Sequence, residues 1–210
     1  MHGGCLTNYT NTVQLVHMHA SVNTVSGRRD VILDAAIPVF GRFGFRKTSM
    51  EDIAEAAKIS KQGLYLHFSG KEEVFTAAMQ KYLRDGLRLV DQELNRPGSS
   101  LFRRLSGAMD AWFGRHFSTF ARGSFDVIEA GGRLSGKEVE AYKLAFQGKV
   151  AKALSKSSEF AHTRHVCTPR EVAQVLFHFG LTWKEDFASR AAFLKEVELC
   201  IKACCQIERI

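Results

Sequence analysis

At four places along the chain a Ser or Thr followed three residues later by Glu reads as the start of a helix, ahead of apolar residues at helical spacing. The pairs are Thr48 with Glu51, Ser69 with Glu72, Ser135 with Glu138, and Thr168 with Glu171. In such a capping box the hydroxyl accepts from an orphan amide of the first helical turn, and the carboxylate reaches back to the amide of the cap. Pro169 follows Thr168 at the first helical position, where its missing N–H costs nothing. Only three prolines occur in 210 residues, so long helices are permitted. No run alternates convincingly with period two. The reading is an all-α fold.

The spacing predicts a first helix from Arg28 to Phe43, with Ile32, Ala36, Val39, Phe40 and Phe43 on its inner face, bent at Pro38 and stopped by Gly44. Short helices follow over Met50 to Ala57 and Lys61 to His67, then a long one from Lys71 to about Leu94. The Arg96-Pro97-Gly98-Ser99-Ser100 break precedes further helices near 101–117, 119–130, 136–156, 169–186 and 188–208. Three parts result: 1–26, a disordered or extended segment; 27–75; and 76–210.

A formal net charge of +7 favours a polyanionic partner, nucleic acid or an anionic membrane surface. No stretch approaches the roughly 20 apolar residues of a membrane span, and no membrane partner is expected. Residues 1–26 contain no Lys, Arg, Asp or Glu, so they lack the positive region of a signal peptide; Met18 is an alternative start. Five cysteines, an odd number without scaffold spacing, point to reduced thiols and a cytoplasmic location.

Residues 48–67 carry the most specific arrangement. A capped short helix places Ile53, Ala54 and Ala57 inward; Ala57-Lys58-Ile59-Ser60 makes a tight break; a second short helix buries Leu64 and Phe68. Two short helices joined by such a turn form a helix-turn-helix, whose second helix enters the major groove by its leading end. That end carries Ser60, Lys61, Gln62 and Gly63. Lys61 suits guanine O6 or N7, Gln62 suits adenine, and Gly63 allows close approach. Thr48 and Ser49 at a helix start suit phosphate oxygens. Tyr65, His67 and Lys71 add flanking donors, with Leu64, Leu66 and Phe68 as anchors.

The run Phe43-Gly44-Phe45, Thr48-Ser49-Met50, Asp52-Ile53-Ala54, Ala57, Ile59-Ser60-Lys61, Gly63-Leu64-Tyr65, His67-Phe68, Lys71-Glu72, Val74-Phe75 closely resembles the DNA-binding domain of the TetR family of repressors. The resemblance covers residues 28–75. It implies an N-terminal three-helix DNA-binding domain followed by a larger helical domain that binds a ligand and dimerises. It implies base contacts from Lys61, Gln62 and Gly63, and phosphate contacts from Thr48, Ser49, Tyr65, His67 and Lys71. Where a Thr is frequent in the family, Gly63 offers clearance only.

The rest of the chain carries no signature of this kind. Its aromatic residues point to an apolar cavity for a small-molecule effector, with Trp112, Phe113, Phe117, Phe125, Tyr142, Phe146 and Trp183 as lining and His116, Glu129 and His178 as polar anchors. For any single one of them plain core packing is the better reading; as a group they point to a lipophilic or aromatic ligand. The last two helices, with Val172, Val175, Leu176, Phe179 and Trp183 on one and Phe193, Leu194, Val197 and Ile201 on the other, are the expected homodimer surface. Two symmetric readers suit a palindromic double-stranded operator.

Cys200, Cys204 and Cys205 leave a redox or thiolate-metal site open but read more readily as small buried hydrophobes; His162, His165 and Cys167 have a spacing that suits a metal but lie in an expected loop without a clear fourth ligand; no metal and no cofactor is expected. Residues 131–137 nearly spell a phosphate-binding loop, but Glu138 stands where a Ser or Thr is required and no strand precedes it. The function expected is a ligand-responsive repressor, not an enzyme. The alternative is a helical ligand-binding or catalytic domain whose helix-turn-helix is vestigial, for which residues 99–210 lack a nucleophile–base pair.

Overall fold

The computed structural model describes the backbone of residues 12–120, 125–161, 167–184 and 187–206, and the side chains of residue 27 onward within those stretches except 125, 183 and 184. Among the described residues there is no strand.

Helix α1 (Thr12–Lys47) starts well before Arg28. The helical backbone takes in residues 12–26, which the sequence led us to expect as disordered or extended. No proline stands between Thr12 and Arg28, and Gly27 is the one glycine, so a helix nucleated over the buried face of 32–40 meets no strong stop toward its N-terminus. Pro38 lies inside α1, and the departure from helical backbone falls at Gly44 (φ 83°). This left-handed residue breaks the helix where a C-terminal glycine was expected. Ile32, Ala36 and Phe40 are buried as predicted, whereas Phe43 is 45% exposed.

Helices α2 (Met50–Ala56), α3 (Lys61–Tyr65) and the start of α4 (Lys71–Leu94) close a small head around α1. Its core holds Phe40, Phe45, Ile53, Leu64, Phe68 and Phe75. Phe75 meets Phe40 and Phe45 edge-on, with ring centroids 5.1 and 4.9 Å apart, a favoured aromatic geometry. The caps differ from expectation by one residue. Ser49, not Thr48, starts α2 in a complete capping box with Asp52. At the start of α4 the cap is Gly70, and Ser69 bonds Glu73 through its amide (2.7 Å) and hydroxyl (2.9 Å) instead of Glu72. The Thr168–Glu171 box forms as expected.

The larger body continues from α4. Helix α5 (Leu101–Met109) runs through a π-helical turn (Asp110–Gly114) into α6 (His116–Thr119). Then come α7 (Phe125–Ser155), α8 (Ser158–Ala161), α9 (Pro169–Gly180) with a 3₁₀ turn (Leu181–Lys184), and α10 (Arg190–Cys205). Helix α7 is bent at Ser135 (φ −141°, ψ 25°); that residue is the bend between two halves rather than a cap, and its buried hydroxyl has no partner among the described residues. Two helices tie head to body. Val74, Phe75 and Ala78 of α4 belong to the head core, and Val90 and Leu94 to the body core. Likewise Val127 and Ala130 of α7 lie in the head core, while Phe146, Val150 and Leu154 lie in the body core.

The first half of α7 is fastened to the end of α1. Asp126 accepts from the Arg46 amide at 3.0 Å, and Glu129 accepts twice from the Arg46 guanidinium at 3.1 and 2.9 Å. The Asp126 carboxylate fills the space beside Gly44, where a Cβ would collide with it.

Candidate nucleic-acid interface

The helix-turn-helix is built from α2, a turn and α3. Ala57 ends α2; Lys58 takes the left-handed conformation (φ 54°), and Ile59 donates its amide to Ala54 at 3.0 Å. Ser60 then caps α3 by accepting from the Gly63 amide at 3.0 Å. A Cβ on Gly63 would sit 3.1 Å from that hydroxyl, so the glycine also leaves room for the cap of its own helix. Leu64 and Phe68 are buried and hold α3 to the head. Lys61, Gln62 and Tyr65 are exposed at the tip.

The tip is less free than its sequence suggests. Lys61 pairs with Glu51 of α2; the lysine holds the Glu51 carboxyl below the usual range and is itself raised. Both groups are well exposed, so the pair is weak. Thr48 is 2% exposed, and its hydroxyl donates to the Gly44 carbonyl at 2.6 Å. It closes the end of α1 and offers no free donor to a phosphate, because the cap of α2 falls one residue later. Ser49 is half-buried and engaged with Asp52. Lys71 lies over the Phe45 ring at 4.7 Å and donates to the Arg46 carbonyl at 3.2 Å.

Sequence reasoning passed over Arg29. Its guanidinium lies 4.0 Å over the Phe68 ring, donates to the His67 carbonyl and pairs with Glu73 at 3.3 Å. It fixes the turn after α3 across 38 positions, a distance at which no local pattern signals a contact. Leu66 was read as an anchor beside Leu64; it is 82% exposed. Leu64 and Phe68, four apart on one helical face, take the core positions, and Leu66 falls on the opposite side.

Residues 32–78 match the model of the bacterial regulatory proteins of the tetR family. Over these residues the chain carries a DNA-binding domain similar to those of the TetR family. The HTH-type transcriptional regulator YfiR of Bacillus subtilis is 37% identical over 83 residues, 40% of this chain and 40% of that protein; the match thus spans well under half the length of that relative. Over the whole chain the likeness is one of fold. A TetR-like regulator from Rhodococcus is 28% identical with a TM-score of 0.56, covering 84% of this chain and 94% of its own. The structure of AibR with isovaleryl coenzyme A and operator DNA has a TM-score of 0.57 at 20% identity, covering 85% and 98%.

In the helical body the expected effector lining is divided. Trp112, Phe113, Phe146 and Phe177 pack on one another at centroid distances of 5.4 to 5.7 Å and fill the body core themselves. Phe113 presses on the bare backbone of Gly180, where a Cβ would overlap its ring. Phe117 packs on Phe193 at 5.5 Å. His116 Nδ1 meets the Tyr82 hydroxyl at 2.7 Å, and Tyr142 donates to the Gln80 carbonyl at 3.4 Å, so both face α4. Glu129 and His178 are exposed and stand apart from that cluster: the first pairs with Arg46, the second meets the Gln174 carbonyl at 2.8 Å. The side chains of Phe125 and Trp183 lie outside the described residues, as do His162 and His165.

The expected dimer residues Val172, Leu176, Phe193, Val197 and Ile201 are buried in the chain's own core. The outward faces of α9 and α10 carry Val175, His178 and Leu199 instead, with Leu181 exposed in the 3₁₀ turn that follows α9. Burial pushes the Cys200 and Cys205 thiols up to about 12, which makes them small apolar groups rather than thiolates. Among the described residues no group of three His, Cys, Asp or Glu side chains is placed to hold a metal, and no helix is long and apolar enough to cross a membrane.

Proposed function

We propose that this chain is a ligand-responsive transcriptional repressor that binds double-stranded operator DNA as a homodimer and releases it when a small molecule enters the helical body. The observation that carries the reading is the exposed polar tip of α3, pinned by buried Leu64 and Phe68 within a domain of the TetR family. Lys61, Gln62 and Gly63 face base edges, and Ser49, Ser60, Tyr65, His67 and Lys71 lie along the phosphates. Occupancy of the operator blocks transcription.

The protomers meet through the outward faces of α9 and α10, where Val175, Leu199 and, in the turn after α9, Leu181 leave apolar surface in water. The effector enters between α4, the α5–α6 segment and α7, parting the Trp112–Phe146 contact with His116 and Tyr142 as polar anchors. The solved relative AibR, which holds isovaleryl coenzyme A and operator DNA, makes an acyl compound a natural first class to try. Because α4 and α7 each run through both cores, a wedge in the body tilts both, and the spacing of the two reading tips changes.

The test is a fluorescence-anisotropy titration of the purified protein against the promoter of its own gene. Tight binding that competitor DNA does not abolish is expected, and indifference to every duplex at low salt defeats the reading. Coupling is reciprocal: an effector that weakens operator binding must bind more weakly, by the same factor, to the protein–operator complex. Identical effector affinity by calorimetry with and without operator rejects the release scheme while leaving DNA binding intact.

A further inference from the structure

Leu66, at 82%, is the most exposed large hydrophobic side chain among the described residues. Its neighbours Leu64 and Phe68 serve the head core at 0% and 1% exposure, so Leu66 contributes nothing to packing. Yet the turn that carries it is held firmly. The Leu66 amide donates to the Gln62 carbonyl at 3.3 Å, and those of His67 and Phe68 donate to the Leu64 carbonyl at 3.0 and 3.1 Å. Arg29 clamps the His67 carbonyl and the Phe68 ring, and Glu73 ties Arg29 to Ser69. An apolar side chain is thus presented to solvent in a fixed place, beside a surface otherwise made of polar groups. Pre-organisation of this kind lowers the cost of ordering on binding.

The other side chains at the tip narrow the partner. Lys61 reads guanine once it leaves its weak pair with Glu51. Gly63 has no side chain. Gln62 remains, and its amide matches adenine. The major groove offers one apolar feature, the 5-methyl group of thymine. We propose that Leu66 packs against a thymine methyl in each operator half-site, so that this position is read as T·A by an apolar contact beside the Gln62 contact to adenine. The inference rests on the regulator reading and gives its operator a composition.

The test starts from duplexes that the full-length protein itself selects from a random library. Each thymine of the selected site is then replaced singly by deoxyuridine, which removes the methyl and nothing else. At one position per half-site the wild type is expected to lose about fourfold in affinity, the effect of one buried methyl-sized group. Leu66→Ala is expected to bind thymine and uracil duplexes alike, and Leu66→Met, which keeps an apolar end, to retain the discrimination. Leu66 is exposed, so thermal unfolding of both variants should match wild type. If the library yields no enriched duplex, the regulator reading falls and this contact with it. If duplexes are enriched but every uracil substitution is neutral, or Leu66→Ala discriminates like wild type, the contact alone is overturned.

Discussion

The head and the body of this molecule are built on separate cores, and they use their large side chains differently. In the head, outward side chains alternate with buried ones along a few residues: Leu64 and Phe68 are inside, Tyr65 and Leu66 outside. The Phe40–Phe45–Phe75 triad behind them is small and tightly faceted. In the body, Trp112, Phe113, Phe146 and Phe177 fill the centre, and exposed apolar residues such as Leu144, Val175 and Leu199 are scattered. The head is organised to hold a surface in place, and the body to fill an interior; α4 and α7 contribute buried residues to both cores.

The largest expected effects test whether the two cores are separable. Phe75→Ala and Phe146→Ala each remove a fully buried ring, at about 3–5 kcal/mol. Both tryptophans lie in the body, at 112 and 183, so tryptophan fluorescence follows that region. Phe75→Ala is expected to abolish DNA binding while the fluorescence transition stays close to wild type. Phe146→Ala is expected to lower that transition and spare DNA binding below it. One shared transition that moves equally in both variants would break the distinction, because α4 and α7 would then fuse the cores into one cooperative unit.

The contact between the regions comes next. Gly44→Ala places a side chain at φ 83°, which costs about 1–2 kcal/mol, and drives its Cβ into the Asp126 carboxylate. A loss of at least about 2 kcal/mol in urea denaturation is expected. Adding Asp126→Ala removes the collision and leaves the backbone strain, so the double variant should recover part of the loss. No recovery would mean that Gly44 matters to α1 alone and not to the docking of α7.

A finer comparison uses the same cap in both regions. Ser49→Ala in the head and Thr168→Ala in the body each delete an N-cap hydroxyl, at about 1 kcal/mol. Only the first should weaken operator binding. The capping carboxylates also set a pH response. The Ser49 hydroxyl and amide hold Asp52 below the ordinary aspartate range, and the Thr168 amide and hydroxyl do the same for Glu171. A folded-state value below the unfolded one means a contribution present above the unfolded value and lost as pH falls through the folded one. The deficit of each variant should therefore shrink as acid titrates the box. A deficit unchanged between about pH 6 and about pH 3 would assign it to the hydroxyl alone.

The head was legible in the sequence because its spacing is short and local. Ile53, Ala54, Leu64 and Phe68 fall where a four-residue turn between short helices requires, and Gly44 breaks α1 where a glycine was expected. What was misread there depended on single-residue register: two adjacent hydroxyls, Thr48 and Ser49, stand before α2, each with a carboxylate three residues on; Asp52 closes the box on Ser49, while Thr48 bonds the Gly44 carbonyl and Glu51 pairs with Lys61. Leu66 was misjudged because apolar character alone does not say which side of a helix a residue occupies. In the body, a period of apolar residues identified α9 and α10 but left open which partner covers them. Val172, Leu176, Phe193 and Val197 pack within the chain, and only the burial of both helices on the same core distinguishes that from a dimer face. The Arg46–Glu129 pair joins residues 83 positions apart, beyond any local pattern, so Glu129 read as a ligand anchor.

That pair supplies the smallest predicted effect and the sharpest test of the link between regions. Arg46 and Glu129 are both well exposed, so Arg46→Ala should change global stability by no more than about 0.5–1 kcal/mol. Its effect should be local. The Arg46 amide still holds Asp126, but the guanidinium fork that fastens the next turn of α7 is gone. Hydrogen exchange at residues 127–134 should quicken, while residues 141–154, beyond the bend at Ser135, keep wild-type protection. Faster exchange along all of α7 would mean that the bend transmits the loss and that the two halves move as one rod. Unchanged exchange in both halves would leave Val127 and Ala130, buried in the head core, as sufficient to hold the first half without the ion pair.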